Sequence, residues 1–99
     1  MECTVASQAN IIWAINRKIG LEPTVYRIGL SRTPTQRKSE WEAAGVVRYW
    51  DQWPTNSLQD AKDIESHFIK TRGMKGSAGG DRSGGRPMYV YVFMYLFMP

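Results

Sequence analysis

Apolar residues at helical spacing and runs of β-branched and aromatic residues take turns along this chain. Ile11, Ile12, Ile15 and Ile19 recur at intervals of three and four, which gives one face of a helix. Ser7 is placed to cap that helix, which is expected to run to about Lys18. Gly20 is its stop, and Pro23 reinforces the break. Residues 24–30 form a β-branched and aromatic run that reads as a strand. The segment Thr33-Pro-Thr-Gln36 then opens a second helix: Thr33 can cap, Pro34 suits the first helical position, and Gln36 can close a capping box. That helix is expected to last to about Ala44 and to end at Gly45. Residues 46–53 alternate enough for a second strand, closed by Pro54. Ser57 is the expected cap of a third helix, with Asp60 and Asp63 suited to the positive end of its dipole and Gly73 as a left-handed stop after Arg72. Residues 73–87 are a glycine-rich loop. Residues 88–97 are a last strand, apolar on both faces, which calls for a central place in a sheet or pairing across a dimer.

The expected fold is therefore α/β (α+β), one small three-stranded sheet packed with three helices in the order α-β-α-β-α-β. The 99 residues suffice for one domain, 1–99. Within it stand an N-terminal helical segment (1–23), a core (24–72), the glycine-rich loop (73–87) and the last strand (88–99). Four Trp, five Tyr and three Phe supply large side chains to a core that cannot be large.

Charge and cysteine content narrow the classes. The formal net charge is +4 and the isoelectric point is near 9.5, a mild bias toward anionic partners. Cys3 is the one cysteine, so the chain holds neither an internal disulfide nor a multi-cysteine zinc site. A lone thiol suits a reducing compartment. Glu2 stands where a secretory leader is basic, and the apolar run from Met88 is too short to span a bilayer as a helix. The expectation is a cytoplasmic protein with no membrane partner.

The candidate site starts from Glu65. On helical geometry Leu58, Ala61, Phe68 and Ile69 fall within about 60° of it, so a carboxylate sits in the middle of an apolar face. An unpaired buried charge costs several kcal/mol, so Glu65 has to meet a cation: an arginine, a metal ion, or water at a cleft floor. The alternative is a structural pair holding the helix to the sheet. Arg27 on the first strand and Arg37 in the second helix are the candidate partners; Arg32 and Lys38 read as solvated charges. Between strand and helix, Gly29-Leu-Ser-Arg-Thr33 is a small-residue turn of the kind that offers backbone N–H groups to an anion. The 73–87 loop adds Lys75, Arg82 and Arg86 among its glycines, and arginine grips phosphate bidentately. Neither a Walker loop nor a dinucleotide-binding fingerprint is present. Trp41, Trp50 and Trp53 could stack on bases, with core packing as the alternative for Trp41 and Trp50. With one His and one Cys, His67 and Cys3, a three-ligand zinc site is not expected.

Residues 25–70 resemble the GIY-YIG endonuclease superfamily. Val25-Tyr-Arg-Ile-Gly-Leu-Ser31 is similar to the family's second strand, Arg37 matches the arginine of the following helix, and Glu65 in Ala61-Lys-Asp-Ile-Glu-Ser-His-Phe-Ile69 matches its metal-binding glutamate. The resemblance implies a GIY-YIG-like core, and for an active member a magnesium or manganese ion on Glu65. The departures are specific. The first Gly-Ile-Tyr strand has no counterpart, Arg27 replaces the tyrosine before Ile28-Gly29, and the usual late Asn gives way to the glycine-rich loop. Loss of both tyrosines removes the expected base chemistry, so no catalytic residues and no cofactor are assigned.

The resulting expectation is a non-catalytic binding module for a phosphate-bearing ligand, either a nucleotide-derived molecule or nucleic acid, with Arg27, Arg37, Glu65, Lys75, Arg82 and Arg86 as binding residues. By analogy, small lone binders of this kind suit phage or mobile-element counter-defence. Two alternatives stand beside it. One is a metal-dependent endonuclease of the GIY-YIG type. The other is a protein-interaction or inhibitor module, with a homodimer formed through the C-terminal strand.

Overall fold

The computed structural model describes residues 8–76 and 88–97. Helix α1 (Gln8–Ile19) leads through a short 3-10 turn (Pro23–Val25) into strand β1 (Tyr26–Ser31). Helix α2 (Pro34–Ala44), strand β2 (Gly45–Thr55) and helix α3 (Leu58–Arg72) follow. A two-residue strand β3 (Lys75–Gly76) and the long strand β4 (Met88–Phe97) complete the domain.

The helix ends show how local chemistry sets the elements. The Ser57 side chain accepts a hydrogen bond from the Asp60 N–H at 3.0 Å, and Gly73 ends α3 in the left-handed region at φ 70°. Gly20 turns the chain after α1 at φ 55°. The expected capping box of α2 does not form. Thr33 is the cap residue without a side-chain cap bond, its own N–H donates to Ser31 Oγ at 2.9 Å, and the Gln36 amide turns to Glu40. Pro34 takes the first helical position as expected, and it is buried there.

Among the described residues the class is α+β with three helices, but the sheet has four strands rather than three, in the order β2-β4-β1-β3. Strand β4 runs antiparallel to both neighbours, and β3 runs parallel to β1. A two-residue Lys-Gly strand carries no periodic pattern, which is why the sequence reading takes it as loop.

Register decides the two faces. Ile28 lies opposite Val92 and Leu30 opposite Val90, on the face that buries Met88, while Arg27, Gly29 and Ser31 lie opposite Phe93, Tyr91 and Tyr89 on the other. Helices α1 and α3 cover the first face with Ile11, Ile15, Ile19, Ala61, Ile64 and Phe68. Helix α2 lies on the second, where Trp41 meets Phe93 and Tyr95. Helices thus pack on both faces of β4, and β1 and β2 pair along its two edges. From Tyr89 to Met94 β4 is therefore paired on both sides and offers no free edge there for strand pairing across a dimer.

A bulge in β2 corrects the simple alternation expected for residues 46–53. Arg48 pairs with Met94 and Asp51 with Val92, so Tyr49 and Trp50 together oppose one residue. The extra residue shifts the parity: Val47 opposes Tyr95 on the second face, yet Trp53 packs against the core on the first. Trp50 stacks on Tyr91 at 4.7 Å and 12°, and its Nε1–H donates to Gln52 Oε1 at 2.8 Å.

Candidate functional site: a cationic pocket beside strand β1

Arg27 is a charged residue inside a strand, and its position is set by the rings around it. The outward face of β1 places it opposite Phe93, beside the row Tyr91, Phe93 and Tyr95 of β4. The guanidinium carbon lies 5.3 Å from the Trp41 ring centre and 5.4 Å from that of Tyr95. Contacts of this kind are each worth about 0.5–2 kcal/mol, and they hold the guanidinium plane while leaving its N–H groups unspent. Among the described residues no carboxylate or carbonyl binds Arg27; the rings are its partners.

Lys75 stands next to it. The parallel β1–β3 register pairs Arg27 with Lys75, so the two side chains leave the same face of adjacent strands. Together they line a pocket of about 300 Å³ with Glu22, Thr24, Val25, Met94 and Tyr95. The pocket floor is the start of β1 and the late part of β4. One wall is the turn before β1. That turn is anchored from α3: Arg72 donates to Asn16 Oδ1 and to the Gly20 carbonyl, both at 2.7 Å.

The other candidates lie elsewhere. Arg37 forms an ion pair with Glu40 at 3.0 Å, one turn along α2. Glu65 is 9% exposed and is not a free charge. It is one of the four buried residues of α3, with Ala61, Ile64 and Phe68, while Ile69, expected on the same face, is exposed. Helix α3 packs on the opposite face of the sheet from α2 and from Arg27, so the structure does not bring Glu65 to either expected arginine. Arg32, read as a solvated charge, is exposed but engaged. Arg82 and Arg86 lie outside the described residues. Among the described residues no three His, Cys, Asp or Glu side chains gather as metal ligands, and no helix is long and apolar enough to cross a membrane.

Sequence reasoning finds Arg27 and Lys75 separately and misses that they are neighbours, because their adjacency depends on β3. It also misses Glu22, Val25, Met94 and Tyr95. The signal available was a strand arginine in a chain rich in aromatic residues. Compared with protein-family models, with curated proteins and with solved structures, the chain matches none of them.

Proposed function

We propose that this chain is a non-catalytic binding module for a small phosphate-bearing ligand, held in the pocket of Arg27 and Lys75. The observation that supports it is the Arg27 guanidinium, fixed by two rings and facing a pocket with donors that no described protein group uses. A guanidinium presents a planar fork that matches phosphate oxygens, and the adjacent Lys75 adds a second positive charge at short range. Fixing the fork in advance lowers the entropy lost on binding.

The nuclease alternative needs Arg37 and Glu65 to work at one site, and those residues stand on helices that cover opposite faces of the sheet. The binding reading therefore predicts no cleavage of plasmid or single-stranded DNA with magnesium or manganese. Metal-dependent cutting that disappears in Glu65→Ala would replace it with the nuclease.

The direct test is calorimetric titration of the full chain with nucleoside phosphates at low salt, in wild type, Arg27→Met and Lys75→Met. Methionine keeps the stem and removes the charge. Losing hydrogen bonds from a charged donor costs about 1.5–3 kcal/mol, so Arg27→Met should weaken binding by about tenfold to a hundredfold. Added salt should weaken it in wild type, since charges near the surface are screened over about 8 Å at physiological ionic strength. Equal affinity in wild type and both variants would overturn the assignment of the pocket.

A further inference from the structure

We infer that the ligand of this pocket is a ribonucleoside phosphate, with its phosphate at Arg27 and Lys75, its sugar hydroxyls at Glu22 and its base against Val25 and Tyr95. The inference rests on the anion reading above and names the ligand class.

Three kinds of chemistry meet in one pocket of about 300 Å³: two cations, one carboxylate and an apolar wall. The carboxylate is the informative part. Glu22 lines the same pocket as Arg27 and Lys75 without forming an ion pair with either among the described residues. A ligand that was only an anion would be repelled by it. A ligand that also carries hydroxyl donors makes use of it, and a carboxylate accepting from ribose hydroxyls is a recurrent solution in nucleotide sites. Two vicinal hydroxyls match the two oxygens of one carboxylate.

The backbone under Glu22 is held on both sides. Its N–H donates to the Ile19 carbonyl at 3.0 Å, and its carbonyl accepts from the Val25 N–H at 3.3 Å. Arg72 ties the same turn to the end of α3, three residues before Lys75. The backbone segments that carry the acceptor and the second cation are thus joined through one side chain.

The apolar wall supplies the third part. Val25 is well exposed although it is β-branched and apolar, and the pocket is also lined by Tyr95, on the same face of the sheet as Arg27. A phosphorylated sugar or amine alone would leave that wall wet. A base would cover it, and an aromatic ring is suited to flat partners. The volume stands at the lower end of ligand pockets, which suits one mononucleotide rather than a duplex.

The experiment titrates the full chain with the four ribonucleoside monophosphates, their 2′-deoxy counterparts, ribose 5-phosphate and inorganic phosphate. Wild type, Arg27→Met and Glu22→Gln are compared, each checked for an unchanged circular dichroism spectrum. At least one ribonucleotide should bind about tenfold or more tightly than its deoxy counterpart and than ribose 5-phosphate. Glu22→Gln should bring the ribo and deoxy forms to within about twofold of each other. Arg27→Met should weaken all phosphate compounds. Phosphate binding that depends on Arg27 but shows no ribose preference, or a preference that survives Glu22→Gln, would overturn this inference and leave the anion site standing. Absence of binding by every phosphate compound at low salt would overturn both.

Discussion

Tyr49 shows how much one residue can bear. It is a non-glycine residue at φ 58°, in the bulge that turns Trp50 onto Tyr91 and Trp53 into the core. A left-handed backbone costs most residues about 1–2 kcal/mol, and a β-branched side chain more. Tyr49→Gly should therefore change stability by less than about 1 kcal/mol, strain relief offsetting the entropy of glycine. Tyr49→Val should lower it by about 1–2 kcal/mol beyond that, read from urea midpoints. Thr55 is a second such residue. Buried at the end of β2, its hydroxyl donates to the Met88 carbonyl at 2.6 Å and lies 3.0 Å from that of Ser57. Thr55→Val keeps the shape and leaves a buried carbonyl short of a donor, so a loss of about 1–3 kcal/mol is expected by the same measurement. At this scale the sequence is partly legible. A charge inside an apolar helix face identifies Glu65 as buried, but periodicity is too coarse to place Ile69, which is exposed. The partner of a buried charge is a matter of which face each helix takes, which spacing alone does not decide.

Among the elements, α3 is the one whose ends are written in its residues. Ser57 and Gly73 act locally, so their chemistry can be read without knowing the fold. Ser57→Ala should cost about 1 kcal/mol, and Gly73→Ala about 1 kcal/mol by forcing a Cβ into the left-handed region; helix content near the midpoint of thermal melts should fall in both. Strand β3 is the opposite case. It exists because β1 offers a parallel edge at Arg27 and Ile28, not because Lys75-Gly76 favours extension. The bulge in β2 belongs with it: the parity change that brings Trp53 to the core is fixed by the partner strand, and the alternation of residues 46–53 on its own predicts a straight strand. The candidate pocket inherits this limit, since half of it rests on β3 and on the turn before β1.

For the molecule as a whole, α1 is part of the core rather than a preface to it. Ile11, Ile15 and Ile19 are three of the twelve buried residues of the main cluster. Removing a buried isoleucine side chain typically costs about 2–5 kcal/mol, and a domain of this size holds about 5–15 kcal/mol in total. A fragment starting at Gly20 should therefore show no cooperative urea transition; a normal transition would mean that β1, α2, β2 and α3 suffice around β4. The class and helix count were readable because they follow from periodic patterns within single segments. The strand order was not, because it is a choice among distant pairings to which no single segment testifies.

That order also has a kinetic side. Strand β4 stands between β1 and β2, and its partners on β1 lie about 60 residues away in the chain. Helices can form within microseconds from neighbouring residues, but the sheet cannot close until this remote strand slots between two others, so refolding should take milliseconds or longer. During that interval the inner edges of β1 and β2 are both open, and each can be captured by another molecule. Trp41 and Trp50 rest on the ring row of β4, so their fluorescence reports the insertion itself, and crowded refolding conditions should divert the chain at that step and at no earlier one.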